Sequence, residues 1–196
     1  MKRNSTLLCI LLLSACASPQ TVVTPIYYPD LQRDLSVISA INSKSLYLTI
    51  YDNRTLPENV IGYEDSSKTS TGQPILLAPN VGRAVRDAME DLLTSRGHTI
   101  GTLDGIIEIT IKRFELETLD EGLSTKTVAS IDFSILVKEP TGTTISTLAF
   151  SSHAANTHVA SFESTQKRLV VDALNAIMQK IDQSTKRAIQ NEEGDF

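Results

Sequence analysis

Hydrophobic positions recur along this chain with two different periods, and the switches between them mark its elements. From Ser45 to Tyr51, Leu46, Leu48 and Ile50 alternate with Tyr47, Thr49 and Tyr51, which is the two-residue period of a half-buried strand. After Asn80 the period changes. Val81, Val85, Ala88, Met89, Leu92 and Leu93 recur at helical spacing, with Asn80 suited to an N-cap and Gly97 to the position just past a C-cap. The spacing predicts a helix over Val81–Arg96. Ile107, Ile109 and Ile111 return to alternation, but Phe114 and Leu116 fall on the opposite parity. A one-residue phase shift of this kind predicts a β-bulge near Lys112-Arg113. Thr125–Lys138 places Ala129, Ile131, Phe133, Ile135 and Val137 on one face; Glu139-Pro140-Thr141-Gly142 reads as a hairpin turn and Thr143–Ser152 as the returning strand.

A final helix, about Ser164–Gln190, carries Leu169, Val170, Ala173, Ile177 and Ile181 as its apolar stripe. The polar stretch Asp52–Thr71 is long for a structureless loop, so Val60-Ile61-Gly62-Tyr63 and Pro74-Ile75-Leu76-Leu77 are read as short strands. Each helix has a single apolar stripe. The expected fold is therefore α+β, an antiparallel-rich sheet of about four to five strands with two helices packed on one face.

The first sixteen residues follow a different logic. Lys2 and Arg3 precede an apolar run, Leu7–Leu13, that is far shorter than the roughly 20 residues needed to cross a hydrocarbon layer. The segment reads as a cleaved secretory signal. It ends in Leu13-Ser14-Ala15-Cys16, the pattern of a bacterial lipobox: small residues for the peptidase, then a thiol that takes a diacylglyceryl group. Cys9 lies within the discarded run, which leaves Cys16 as the one thiol of the mature chain. Each buried acyl methylene contributes about 0.8 kcal/mol, so two or three long chains on Cys16 give stable attachment to a membrane. Ala17 and Ser18 follow, not the Asp that holds lipoproteins at an inner membrane. The expected location is the outer membrane, with the body in the periplasm.

Residues 1–15 are thus expected to be the signal peptide, and 16–44 a lipidated Cys with a tether and an extended segment. Residues 45–190 are expected to form a single α+β domain, and 191–196 an acidic tail. Val22-Val23 and Tyr27-Tyr28 are candidates to lie along a sheet edge.

Composition narrows the function mainly by exclusion. The chain has a formal charge of −5, and losing Lys2 and Arg3 with the signal lowers it to −7. A nucleic-acid partner is not expected, because phosphate binding needs clustered Lys and Arg. An acidic body is also repelled by anionic lipid, which suits a domain held off the membrane on a tether. No G-x-S-x-G, H-E-x-x-H, G-x-x-x-x-G-K or G-x-G-x-x-G occurs. His98 falls just past the first helix, His153 at a strand end and His158 in the following loop; they are scattered and read as solvated histidines, not as a metal pair. Glu115, Glu117 and Asp120-Glu121 read as a solvated run around a hairpin turn. No catalytic residue, metal site or cofactor is expected.

One polar group stands apart. Asp52 and Arg54 directly follow an apolar strand and point the same way in extended chain. They are either a ligand-facing pair or a turn that fixes the strand's exit. The outer face of the first helix, with Arg83, Arg86, Asp87, Glu90, Asp91 and Arg96, reads as a solvated mixed-charge surface that also suits the rim of a transient protein contact.

With these residues placed, the chain resembles the YajG-like family of Gram-negative lipoproteins. The resemblance runs from Leu13–Cys16 through Leu46–Arg54, Ile61-Gly62, Leu92-Leu93-Thr94-Ser95-Arg96-Gly97-His98, Ile106–Phe114, Ala129-Ser130-Ile131 and the terminal helix. It implies outer-membrane attachment and brings no catalytic residue with it. The expected function is a non-catalytic interaction or envelope-assembly module with a protein partner. The alternative is a binder of a small ligand, lipid or peptidoglycan-derived glycan.

Overall fold

A computed structural model of the chain describes residues 22–23, 45–63, 72–101, 104–120, 124–158 and 162–192. Its elements in chain order are β1 (Val22–Val23), β2 (Ser45–Asp52), β3 (Val60–Tyr63), β4 (Pro74–Leu77), α1 (Val81–Ser95), β5 (Thr99–Ile100), β6 (Gly105–Asp120), β7 (Thr125–Lys138), β8 (Thr144–His158) and α2 (Phe162–Glu192).

The sheet is mixed, and among the described residues it has eight strands, which corrects the expectation of an antiparallel-rich sheet of four to five. β6, β7 and β8 form the antiparallel meander that local alternation foretells. The parallel pairs are β2 with β6, β3 with β6, β2 with β5, and β1 with β4. Parallel neighbours need a crossover connection, here the passage through α1 between β2 and β6, and no local pattern announces which strands it will join. β1 and β5 have two residues each, too few to show a period.

β6 is the spine of the sheet. One of its edges pairs with β7 from Ile106 to Asp120, interrupted by a register shift between Ile111 and Arg113. That bulge lets both Ile107–Ile111 and Phe114–Leu116 bury on the same side despite their opposite parity. The other edge of β6 is shared end to end: β2 takes Gly105–Ile111, and β3 meets it at Leu116.

One core lies on one side of this sheet, and both helices contribute to it. α1 supplies Val81, Val85, Ala88, Met89, Leu92 and Leu93, and α2 supplies Leu169, Val170, Ala173, Leu174, Ile177 and Met178. The Asn80 side chain accepts a hydrogen bond of 2.8 Å from the Arg83 amide, capping α1. At the other end Gly97 has φ of 82°, a left-handed turn that L side chains resist, and the His98 amide closes on the Leu93 carbonyl. Arg96, at the end of α1, then grips Asp182 of α2 with two bonds of 2.7 and 2.5 Å. This pair ties the helices together at the rim of the core.

Candidate functional site

Two polar regions bear on function, and they differ in what their groups are free to do. The first lies where β2 ends. Asp52 and Arg54 form a two-pronged ion pair, Nε to Oδ1 and Nη2 to Oδ2, both at 2.8 Å. The Arg54 side chain is only 1% exposed and that of Asp52 19%. Arg54 also donates to four carbonyls: Val60 at 2.8 Å, Phe114 at 3.3 Å, Glu58 at 3.1 Å and Pro57 at 3.4 Å.

This geometry has a simple cause. β2 leaves the edge of β6 after Ile111, whose carbonyl takes the Asn53 amide, and β3 joins the same edge only at Leu116. The Phe114 carbonyl lies between the two strands, and the guanidinium fills the gap. A buried carbonyl left unpaired would cost on the order of 1–3 kcal/mol. A planar fork with five donors serves a carboxylate and several carbonyls at once, as an ammonium cannot. Glu58 extends the arrangement, since its carbonyl also accepts the Val81 amide at the start of α1.

Gly62 belongs to the same junction. A Cβ built there would stand 2.2 Å from the Leu116 carbonyl oxygen, so only glycine lets β3 approach β6 this closely. Asp52, Arg54 and Gly62, separate in the sequence, are thus brought together on one edge of β6. Their polar groups point inward and are spent on holding strands. They present little to a ligand.

The second region is the side of the sheet away from the core. β2 places Tyr47 and Tyr51 on it, each 51% exposed. Past the bulge, β6 contributes Arg113, which holds Glu115 at 3.0 Å and Glu117 at 2.5 Å. Burial of the guanidinium works against its charge, but the two carboxylates outweigh that and raise its pKa above the ordinary arginine value. Across β7 and β8, Asp132 faces Ser151 and Ser130 faces His153. The Ser151 hydroxyl donates to the Asp132 carboxylate. His153 Nε2 lies 3.3 Å from the same hydroxyl, and Nδ1 lies 3.0 Å from the Ser130 hydroxyl.

The three residue types of a nucleophilic triad are present, but the carboxylate contacts the hydroxyl and a serine contacts the far imidazole nitrogen. That order leaves the imidazole without a carboxylate to orient it. An open depression of about 490 Å³ is lined by Lys112, Arg113, Glu115, Asp132, Ala149 and Ser151, among others.

Other candidates from the sequence fall as follows. Cys16, Tyr27, Tyr28 and Glu121 lie outside the described residues. His153, expected at a strand end, sits within β8, and His158, expected in the loop that follows, is its last residue, because β8 runs to His158 and not to Ser152. Glu115 and Glu117 lie on the strand β6 and not at a hairpin turn. The helix surface is laced by Arg83–Asp87 at 2.8 Å and Arg86–Glu90 at 3.4 Å, while Arg96 is drawn to α2. Among the described residues no group of three or more His, Cys, Asp or Glu could hold a metal, and no helix is long and apolar enough to cross a membrane. The Asp132–Ser151–His153–Ser130 row was missed by sequence reasoning. Its signal exists only once the β7–β8 register is known.

No family model and no curated protein matches this sequence. Among solved structures, the fold is similar to that of protein XCC0632 from Xanthomonas campestris, described as DUF330, at 12% identity with a TM-score of 0.65, over 88% of this chain and 98% of that one. Fainter likenesses are to a minor lipoprotein from Acinetobacter baumannii (14% identity, TM-score 0.44, 74% of this chain and 93% of that one) and the rare lipoprotein B from Shewanella oneidensis (10% identity, TM-score 0.38, 74% and 98%). At 12% identity, what this chain shares with the Xanthomonas protein is its fold.

Proposed function

We propose that this chain is a lipoprotein of the bacterial envelope, held at the outer membrane by acyl chains on Cys16, with its body in the periplasm. There it serves as a non-catalytic interaction or envelope-assembly module. The observation that carries this reading is Leu13-Ser14-Ala15-Cys16 placed directly after a basic n-region and a short apolar run. The YajG-like resemblance supports the outer-membrane destination, as does Ala17 where an Asp would retain the protein. The non-catalytic reading is supported by how the polar groups are used. Arg54 is consumed by internal carbonyls, and the Ser151–His153 pair lacks a carboxylate on the imidazole.

A second reading has one observation in its favour. Tyr47 and Tyr51 stand exposed on one strand face, and aromatic rings there suit stacking on a sugar or packing against a lipid. Both readings share the anchor, so the anchor is tested first. Cells fed a palmitate analogue should label the parent chain and not Cys16→Ser, and the variant should move to the soluble periplasmic fraction. Labelling that persists in the variant overturns the anchor. In-cell crosslinking with mass spectrometry then separates the two readings: a defined protein adduct supports the module, and none supports the ligand binder.

A further inference from the structure

Among the described residues the longest unpaired edge of the sheet belongs to β8, and Lys180 of α2 covers it at one point. Among the described residues β8 pairs only with β7. Free strand edges invite other strands, and proteins blunt them with charges, prolines, bulges or shortness. β8 uses none of these over most of its length. It has 15 residues, Thr-Ile-Ser-Thr-Leu-Ala-Phe-Ser-Ser-His-Ala-Ala-Asn-Thr-His, with no Asp, Glu, Lys, Arg, Pro or Gly. Its register against β7 is unbroken from Ser146 to His158, and the single irregularity lies at the hairpin end, near Lys138. A strand of this length runs about 50 Å.

The direction of its free groups can be read from one contact. Lys180 of α2 donates to the Ser151 carbonyl, so that carbonyl is turned away from β7. Backbone groups alternate along an antiparallel strand. The amides and carbonyls of Thr147, Ala149, Ser151, His153 and Ala155 therefore face outward, and Lys180 caps one of them from a flexible stem.

We propose that β8 is a pairing edge whose occupant is β8 of a second copy, joined antiparallel about a two-fold axis. Charge favours this occupant. The chain as a whole is acidic, so two copies repel wherever acidic surfaces meet, whereas β8 has no charged residue of its own and Lys180, the cation at its edge, has only to release the Ser151 carbonyl. A foreign strand selected by charge would find nothing on β8 to read. Antiparallel self-pairing makes one surface its own complement, which is what a two-fold interface requires. Besides Ile145 and His153, the exposed side chains of β8 are small or hydroxylic, and Thr and Ser pairs across strands are favourable neighbours.

The test is thiol crosslinking of the full chain in intact cells. Single cysteines replace Thr147, Ala149, Ser151, His153 or Ala155, with Tyr51→Cys as another exposed position away from this edge. A short bis-maleimide covers diagonal neighbours about 7–8 Å apart. We expect a covalent dimer from positions nearest the axis and none from Tyr51→Cys. Ala149→Pro, which removes an outward amide and no ladder bond to β7, should abolish the dimer while the thermal unfolding of the fold is kept.

A dimer from Tyr51→Cys as strong as from β8 overturns the pairing, and so does the absence of a dimer at every β8 position. An adduct with a different protein alone assigns the edge to a foreign strand and likewise overturns it. Loss of thiol reactivity without any adduct assigns the edge to the chain's own segment 24–44, which overturns the pairing too. A dimer already present in the parent chain reports a free Cys16, which counts against the anchor and not against the strand edge.

Discussion

Replacing Arg54 by Ala removes a side chain that spans the gap between β2 and β3, and the structure lets the cost be worked out. The substitution takes away a two-pronged bond to Asp52 and bonds to the carbonyls of Val60, Glu58, Phe114 and Pro57. Breaking a buried ion pair by removing one partner costs about 3–5 kcal/mol. Asp52 keeps 19% of its side-chain surface exposed, so part of its charge is rehydrated and the figure falls. Water can also enter a truncated site and reach some of the carbonyls. A loss of about 2–4 kcal/mol is expected.

For a body of this size each kilocalorie shifts the melting temperature by about 2–4 °C, which gives a fall of about 4–16 °C. Thermal and urea unfolding of residues 17–196, followed by circular dichroism, measures it. Arg54→Lys should recover less than half of the loss, because a point charge cannot serve the carboxylate and the carbonyls together. A double-mutant cycle with Asp52→Asn should show a coupling of about 1–3 kcal/mol. If Arg54→Ala changes stability by less than about 0.5 kcal/mol, the clamp is refuted.

Three further outcomes follow from other parts of the chain. Gly62→Ala forces a methyl against the Leu116 carbonyl oxygen, 2.2 Å from where it would sit, and should destabilise the body by about 2 kcal/mol or more, read by the same urea titration; an unchanged midpoint would mean β3 does not approach β6 so closely. Ala17→Asp should hold the protein in the inner-membrane fraction of a density gradient if the host sorts by the residue after the acylated Cys, and parent protein already in that fraction would remove the outer-membrane reading. Asp182→Asn breaks the partly exposed pair with Arg96 and should cost about 1 kcal/mol or less, an effect that shrinks in high salt; a salt-independent loss would show that packing, not charge, joins α1 to α2 at this point.

The sequence made some of these features legible and hid others for identifiable reasons. The boundaries of α1 follow from Asn80 and Gly97, whose side-chain oxygen and missing Cβ act within a few residues. The bulge at Lys112 is visible because it flips a strong alternation between Ile111 and Phe114. The pairing of β2 beside β6 is invisible, since Leu48 and Ile107 meet across a long stretch of chain and carry no mark of each other. Asp52 and Arg54 showed their mutual geometry but not their burial. That depends on the Phe114 carbonyl, which is open to the guanidinium only because two strands share one edge. His153 was misplaced because β8 runs past Ser152 through Ala154, Ala155 and Asn156, residues with weak strand character held there by the opposing ladder of β7.

The docking of β1 gives the tether a property that composition alone would not. Among the described residues Val22 and Val23 pair with Leu76 and Leu77. Under the anchoring we propose, the stretch from Cys16 to this docking point spans at most about 20 Å. Ser45 is the next described residue after β1, and the chain from Cys16 to it can span at most about 100 Å. Under that anchoring, the catch at β1 bounds how far the body stands from its membrane for as long as it is closed.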